Sequence, residues 1–154
     1  MNHVASATEM EEQSQPATAQ CRIALYDLQP LRRAEFLSFL SSWQTEQQVV
    51  VYDALASAAG VISEPAKMAF INLGASSVRT PQVRAWLSEL TAMETPPVIV
   101  VISDREDPAE VVLAFEANAK GYIPTSIAPE LALQAFTLIL NGGVYFPPAT
   151  LLRS

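Results

Sequence analysis

From about residue 21 onward, short continuous apolar runs alternate with longer segments in which apolar residues recur every three or four positions. Continuous runs are typical of strands covered on both faces, and the longer period is typical of amphipathic helices. The predicted strands are CRIALY, QVVVYD, KMAFINL, PPVIVVIS and GYI. The helical segments that follow them in turn are LRRAEFLSFLSSW, ALASAAGVI, VRTPQVRAWLSELTA, DPAEVVLAFEANA and PELALQAFTLILNGG.

These five pairs predict an α/β fold in which a doubly wound, five-stranded parallel sheet carries helices on both faces. Residues at the predicted helix ends support this division. Pro30 and Pro108 suit first helical turns, Asp107 is a good N-cap, and Gly142 and Gly143 follow the last periodic residue.

The first 20 residues differ in composition from the rest, because they are mainly Ala, Ser, Thr, Gln and Glu. Such a segment buries too little apolar surface to offset its ordering entropy, so we predict a disordered N-terminal tail over residues 1–20. A chain of 154 residues, half of them apolar, is long enough for one well-buried domain, which we expect to begin near Cys21.

Charge and composition narrow the classes of function. Nine basic residues against 16 acidic ones give a net charge of -7, which argues against direct binding of a nucleic-acid backbone. Cys21 is the only cysteine and His3 the only histidine, so an internal disulfide and a clustered Cys/His metal site are both excluded. No apolar run approaches the roughly 18 residues of a membrane span, and we expect a cytoplasmic protein without a membrane partner.

In an open parallel sheet, binding and catalytic residues usually lie at the carboxyl ends of the strands. The side chains predicted there offer one acid after the first strand and no lysine or arginine at the end of the fifth. The amide that ends the third strand is a poor phosphoryl acceptor. A glycine-rich phosphate loop, a GxSxG elbow and a histidine that could activate a nucleophile are all missing, so we predict a protein that is not an enzyme and needs no cofactor or metal.

Three stretches carry a resemblance to a known family: RIALYDLQPLRR, VIVVIS and ANAKGYIPTSIAPELALQAFTLILNGGVYFPP. Over residues 21–150 the chain resembles the receiver domain of two-component response regulators. Its last stretch resembles the NarL/FixJ (LuxR-type) branch. The resemblance implies a (βα)5 flavodoxin-like receiver fold with strand order 2-1-3-4-5.

Receivers of this family phosphorylate an aspartate that ends the third strand. Two acids after the first strand hold Mg²⁺, a Ser or Thr follows the fourth strand, and a Lys follows the fifth. In this sequence Asp27 keeps the first acid and Ser103 keeps the hydroxyl. The second acid, the phosphoacceptor and the lysine are replaced by Leu28, Asn72 and Thr125. The resemblance therefore implies a pseudo-receiver with a degenerate phosphorylation pocket.

The roles of single residues in that pocket stay open at this point. Asn72 either holds the pocket in one state, binds a small ligand together with Asp27 and Ser103, or caps nearby backbone groups. Asp27 is either a residual cation site or a cap, and we expect the Leu28 side chain to fill the former metal position. The resemblance places Tyr122 at the aromatic that moves between exposed and buried positions in receivers that switch, and the alternative is a packed side chain with its hydroxyl at the surface.

The last two helices suggest how a partner is bound. We predict that the last helix turns Leu131, Ala135, Leu138 and Ile139 mostly to the core. An apolar face for a partner is expected at Val111, Phe115, Phe136 and Leu140. Because related receivers often dimerise through such a face, the resemblance also implies a homodimer.

The function that we predict is a phosphorylation-independent receiver domain that regulates a LuxR-type transcription factor through dimerisation or through contacts with a partner or ligand. Residues 151–154 are expected to begin a linker to a C-terminal helix-turn-helix domain outside this sequence, through which alone DNA would be bound. Two alternatives stay open. One is a stand-alone interaction module that sequesters a kinase or regulator, and the other is a small-molecule sensor that uses the strand-end pocket.

Overall fold

The computed structural model describes residues 21–56 and 66–147. The predicted tail over 1–20, the predicted linker at 151–154 and most of the predicted second helix lie outside the described residues. Within the two described ranges, none of the helices combines the length and the apolarity that crossing a membrane requires.

The described residues form five strands and five helices. The strands are β1 Cys21–Tyr26, β2 Val49–Asp53, β3 Met68–Gly74, β4 Val98–Ser103 and β5 Ala119–Pro124. The helices are α1 Pro30–Phe39, α2 Ser41–Gln47, α3 Pro81–Thr91, α4 Pro108–Glu116 and α5 Pro129–Leu140. All strand pairs are parallel, and the sheet order is β2-β1-β3-β4-β5. The predicted fold class and strand order are confirmed.

The central strand β3 explains why the sequence shows continuous apolar runs. All seven of its residues are buried, because helices cover both faces of the sheet. Successive side chains point to opposite faces, so Met68 and Phe70 belong to one apolar layer and Ala69 and Ile71 to the other. The first layer includes α1, α2 and α5, and the second includes α3 and α4.

Each layer contains one of the two tryptophans. Trp43 packs against Phe70 and Phe136, with ring centroids 6.3 and 6.0 Å away, and its indole N–H donates to the Thr137 hydroxyl at 2.9 Å. In the other layer Trp86 packs against Tyr26 with ring centroids 5.3 Å apart. Because the indole nitrogen of Trp43 has a partner, this large side chain is buried without an unpaired donor.

The first helical segment differs from its prediction as one helix that ends near Trp43. Two helices meet there at the fully buried Leu40, and the second ends at Gln47. Gln48 follows in the left-handed region with φ 57°, which ends α2 and turns the chain into β2. Burial of Leu40 in the core redirects the chain, a tertiary effect that helical period alone does not show.

The buried face of α5 is rotated from the predicted one. Ala135 and Ile139 are buried as predicted, whereas Leu131 and Leu138 are 43% and 49% exposed. The expectation that these two leucines belong to the core is therefore wrong, and Ala132 and Phe136 are buried instead. This helix carries apolar residues on most of its own sides, so the helical period of the sequence does not indicate which side is buried.

Two residues predicted for a partner face are part of the core. Val111 and Phe136 are fully buried and pack against opposite faces of the sheet. They cannot contact a partner in this conformation, so the expectation for these two residues is wrong. Leu140 is half-buried. Phe115 is 61% exposed, and its ring meets Phe146 edge to face at a centroid distance of 5.4 Å.

Candidate functional site

The carboxyl ends of β1, β3 and β4 carry three buried polar side chains. Asp27 follows β1, Asn72 lies near the end of β3, and Ser103 ends β4. The two other residues of the predicted pocket, Leu28 and Thr125, are exposed. The parallel topology thus brings the predicted positions to one edge, as expected for a sheet of this order.

The Asp27 carboxylate is occupied by the guanidinium of Arg32. Arg32 Nε donates to both carboxylate oxygens at 3.0 Å, and Nη2 donates to Oδ1 at 2.7 Å. The backbone N–H of Gln29 donates to the same Oδ1 at 2.9 Å. A carboxylate without solvent exposure needs such charge-assisted partners, and here one cation and one amide supply them.

The same guanidinium also joins β1 to β3. Arg32 lies in the first turn of α1, and its Nη2 donates to the backbone carbonyl of Asn72 at 3.0 Å. Gly74 passes directly beside Nη1, where a Cβ would overlap the guanidinium, and its φ of 57° also favours glycine. Arg32 is therefore held between the ends of two neighbouring strands.

This arrangement corrects the expectation for Leu28. Its side chain is 59% exposed and does not fill a buried metal position. Arg32, which sequence reasoning did not assign to the site, supplies the side chain beside Asp27 instead. The sequence did contain a sign of this pair, because it places a long cationic side chain five residues after the only acid predicted at the end of β1.

The donor set does not fit the Mg²⁺ that receivers of the resembling family hold. Mg²⁺ needs several oxygen ligands in octahedral geometry, usually including one or two carboxylates. Both Asp27 oxygens are engaged by Arg32, and Leu28 offers no oxygen. Throughout residues 21–56 and 66–147, no group of three or more His, Cys, Asp or Glu side chains is placed to share a metal ion.

Asn72 is buried but not used as a cap. Its side chain is 6% exposed, and its Oδ1 accepts no hydrogen bond from the part of the chain that the structure describes. Its backbone carbonyl accepts a hydrogen bond from Arg32 Nη2. A buried amide oxygen without a donor costs free energy, so this group stands out among the polar side chains of the site.

Ser103 and Arg105 connect the loops that follow β3 and β4. The Ser103 hydroxyl accepts from the Arg105 N–H at 3.0 Å and lies 3.5 Å from the Gly74 carbonyl oxygen. Arg105 Nε donates to the Ala75 carbonyl at 2.9 Å, and the Asp104 N–H donates to that of Gly74 at 2.8 Å. The serine that would face a phosphoryl group therefore takes part in loop structure.

Of the exposed and buried positions described for the aromatic of switching receivers, Tyr122 is in the buried one. Its side chain has no solvent exposure, and its hydroxyl donates to the carbonyl oxygen of Arg105 at 2.7 Å. Burial raises the pKa of this phenol above its ordinary value. Thr125, at the position where the resembling family carries a lysine, donates to Asp104 Oδ1 at 2.8 Å and brings no positive charge to the edge.

Two further polar residues hold the strand-end loops and were missed by sequence reasoning. Glu110 is buried in the first turn of α4, where it accepts from the Ser77 hydroxyl at 2.6 Å and from the Val78 N–H at 2.8 Å. It precedes the buried Ala114 by four residues, and that helical spacing was the available signal. Arg33 donates to the Asp27 carbonyl at 2.8 Å and pairs with Asp53 at 2.9 Å.

The sheet order and the helices on both faces are those of the flavodoxin-like doubly wound fold. No family model and no curated protein sequence matches this chain. Among solved structures, the isolated REC domain of RcsB from Salmonella enterica serovar Typhimurium in the apo form is similar, with a TM-score of 0.66 and 15% identity, covering 87% of this chain and 99% of that one.

Two other solved structures show the same similarity. A LuxR family DNA-binding response regulator from Silicibacter pomeroyi has a TM-score of 0.63 at 19% identity, covering 84% of this chain and 98% of that chain. RcsB bound to promoter P1flhDC has a TM-score of 0.61 at 14% identity, and this chain spans 62% of its length. At these identities the similarity establishes the fold of the chain.

Proposed function

We propose that this chain is a signalling receiver domain without catalytic activity that works without phosphorylation. The observation that carries the proposal is the ion pair between Arg32 and Asp27, because a covalently attached cation lies against the carboxylate that holds Mg²⁺ in the resembling family. With both carboxylate oxygens engaged, a metal ion would have to displace the guanidinium before it could bind.

The rest of the edge supports the same function. The side chain at the acceptor position, Asn72, is an amide, which is a weak nucleophile toward a phosphoryl group. Thr125 supplies no counter-charge for a transferred phosphoryl group, since its hydroxyl faces Asp104. Three chemical requirements of the reaction, which are the metal ligands, the acceptor and the cation, are thus unmet together.

We infer that the domain regulates a transcription factor of the LuxR type. The support is the fold that it shares with LuxR-family regulators and with RcsB, one structure of which is bound to a promoter. The net charge of -7 makes this chain a poor ligand for DNA, so DNA contact is assigned to a helix-turn-helix domain outside these 154 residues.

Regulation through a second copy of the chain is part of the proposal. Leu131 and Leu138 lie two turns apart on α5 and are both substantially exposed, so this helix presents an apolar face after its core stripe is buried. Phe115 on α4 adds a second exposed ring. We assign dimer contact to Leu131 and Leu138, the two exposed leucines of α5, in place of the buried Phe136.

The test is to incubate the protein with acetyl phosphate and Mg²⁺ and measure its intact mass. The expected result is an unchanged mass, because no described residue at the edge combines an acid acceptor with a metal site. A typical response-regulator receiver treated in parallel controls for the reagent. A gain of one phosphoryl group that maps to the strand-end edge would reject the proposal.

A further inference from the structure

A crevice of about 270 Å³ lies between α1 and α5 and reaches the carboxyl ends of the sheet beside Asn72. Its walls are mainly apolar. They include Phe36 and Phe39 from α1, Ile123 at the end of β5, Ile127, and Ala132 and Phe136 from α5. A concave site with apolar walls and few polar groups is the usual form of a small-molecule site.

Of the four polar side chains that line the crevice, two already have partners and a third, Glu35, is exposed to solvent. The Arg32 guanidinium is engaged by Asp27 and by a backbone carbonyl, and the Thr125 hydroxyl donates to Asp104. Asn72 differs, because its side chain is more than nine-tenths buried and its Oδ1 has no donor among the described residues. The terminal torsion of an asparagine has broad minima, so a modest rotation can turn this oxygen to the crevice.

Size and charge define the molecule that would fit. The volume of about 270 Å³ is near the lower end of ligand sites, which suits one or two rings. The positive charge of Arg32 is paired with Asp27, and burying a charged ligand against apolar walls is costly. The buried group without a partner, Asn72 Oδ1, is an acceptor, so the missing counterpart is a hydrogen-bond donor.

We propose that this crevice binds a small, uncharged, mainly apolar molecule of one or two rings that presents one hydrogen-bond donor to Asn72 Oδ1. The molecule bridges α1 and α5 and contacts the position at which the resembling family carries its phosphoacceptor. The proposal deepens the regulatory role proposed above and rests on it for its biological meaning, whereas the binding itself is tested separately.

Indole and benzofuran make a matched pair of probes, because they share shape and size and only indole has an N–H donor. Each is titrated into ¹⁵N-labelled protein, and amide shifts are followed by NMR. We expect shifts around the crevice and binding of indole about tenfold tighter than that of benzofuran, as one buried hydrogen bond supplies. In Asn72→Leu the preference for indole should disappear.

A second pair of variants locates the site. Thr125 and Ser126 are adjacent and exposed, and each hydroxyl donates to one exposed carboxylate, but only Thr125 lines the crevice. Thr125→Trp should abolish binding of both probes by filling the crevice, and Ser126→Trp should leave it unchanged. If Thr125→Trp fails to fold, the comparison of indole with benzofuran in the wild type and in Asn72→Leu still decides.

Several outcomes overturn the proposal. They are equal affinity for the two probes in the wild type, no shift up to their solubility limits, or unimpaired binding to Thr125→Trp. Shifts confined to a second groove, which Leu87 of α3 and Leu113 of α4 line, would also overturn it. Dimer contact is assigned to Leu131 and Leu138 on the same helix, so the control is the double variant Leu131→Glu, Leu138→Glu. Shifts around the crevice that still appear in this variant on raising the protein concentration without a probe would identify a second copy of the chain as the occupant instead. A phosphoryl gain in the mass measurement would reject the proposed function and leave the titration result standing.

Discussion

The guanidinium of Arg32 contacts both carboxylate oxygens of Asp27, with hydrogen bonds of 2.7 to 3.0 Å, at the edge of the sheet where the resembling family binds a divalent cation. Because the acid is fully buried and the arginine is part of the first turn of α1, the pair also connects that helix to the sheet. The same contact therefore supports the structure and underlies the proposal that the domain works without phosphorylation.

Replacing Arg32 with methionine should destabilise the domain by about 3 kcal/mol, because it leaves a buried carboxylate without its counter-charge. Urea unfolding measures the change in free energy. Adding Asp27→Leu should recover a large part of the loss, since an apolar pair has no buried charge. Arg84→Met, at an exposed arginine of α3, is the control and should change stability by less than about 0.5 kcal/mol. Equal effects at the two arginines would contradict the role of the ion pair.

Introducing the three groups that the resembling family carries should not permit phosphorylation while Arg32 is present. The triple variant Leu28→Asp, Asn72→Asp, Thr125→Lys is expected to stay unmodified by acetyl phosphate and Mg²⁺, because the guanidinium still engages Asp27. Adding Arg32→Met should allow a gain of one phosphoryl group in intact mass. The control variant carries Leu28→Asp, Thr125→Lys and Arg32→Met but keeps Asn72, and its intact mass should not increase. Phosphorylation of the triple variant itself would show that Arg32 does not exclude the metal.

Gly74→Ala should cost more stability than Gly142→Ala, although both glycines have positive φ. The reason is that a Cβ at Gly74 overlaps the Arg32 guanidinium, whereas nothing lies within 4 Å of the corresponding position at Gly142. We expect about 1 kcal/mol at Gly142 from backbone strain alone and at least about 2 kcal/mol at Gly74, by urea unfolding. In the Arg32→Met background the difference should shrink, and a constant difference would argue against this contact.

Tyr122→Phe should lower stability at neutral pH by about 1 kcal/mol, through loss of the hydrogen bond to the Arg105 carbonyl. Burial raises the pKa of Tyr122 in the folded state, so above about pH 10 the unfolded chain ionises first and wild-type stability falls. Without the phenol this alkaline loss should be smaller. It should not vanish, because burial also raises the pKa values of Tyr26 and Tyr52.

Urea unfolding at intervals from pH 7 to 11 tests that expectation. Tyr145→Phe is the control at neutral pH, since its half-buried ring carries a hydroxyl that makes no hydrogen bond within the described ranges, and it should have little effect. An alkaline loss in Tyr122→Phe as steep as in the wild type would mean that this buried phenol does not contribute.

Self-association should depend on the exposed leucines of α5. Leu131→Glu combined with Leu138→Glu is expected to shift the mass measured by light scattering to that of a monomer at concentrations where the wild type is dimeric. Met93→Glu, at an apolar residue of similar exposure beyond the end of α3, should leave the mass unchanged. A wild type that is monomeric at all concentrations, or a double variant that dimerises normally, would contradict the assignment.

The order of elements and the fold class could be predicted from the spacing of apolar residues, because β3 and β4 are buried on both faces and appear in the sequence as continuous apolar runs. The buried face of α5 could not be predicted in this way, since the buried and the exposed sides of this helix are both apolar. The break at Leu40 also depends on tertiary burial, which leaves no local signal.

At the site, the positions Asp27, Asn72 and Ser103 were predictable because strand ends can be read from a pattern. Their partners were not. Arg32 reaches the strand ends only through the packing of α1, and Glu110 contacts a loop that lies 32 residues away along the chain. Local patterns show which polar residues reach an edge, whereas long side chains from other elements decide what those residues do there.

The placement of one tryptophan in each apolar layer has a practical consequence. Trp43 lies among the phenylalanines beneath α5, and Trp86 lies on the other side of the sheet against Tyr26. Indole emission depends on its immediate surroundings, so replacing either residue with phenylalanine leaves an intrinsic optical signal from the opposite side alone. The protein thus contains its own pair of reporters, with which motion on the two sides of the sheet can be timed separately and without an added label.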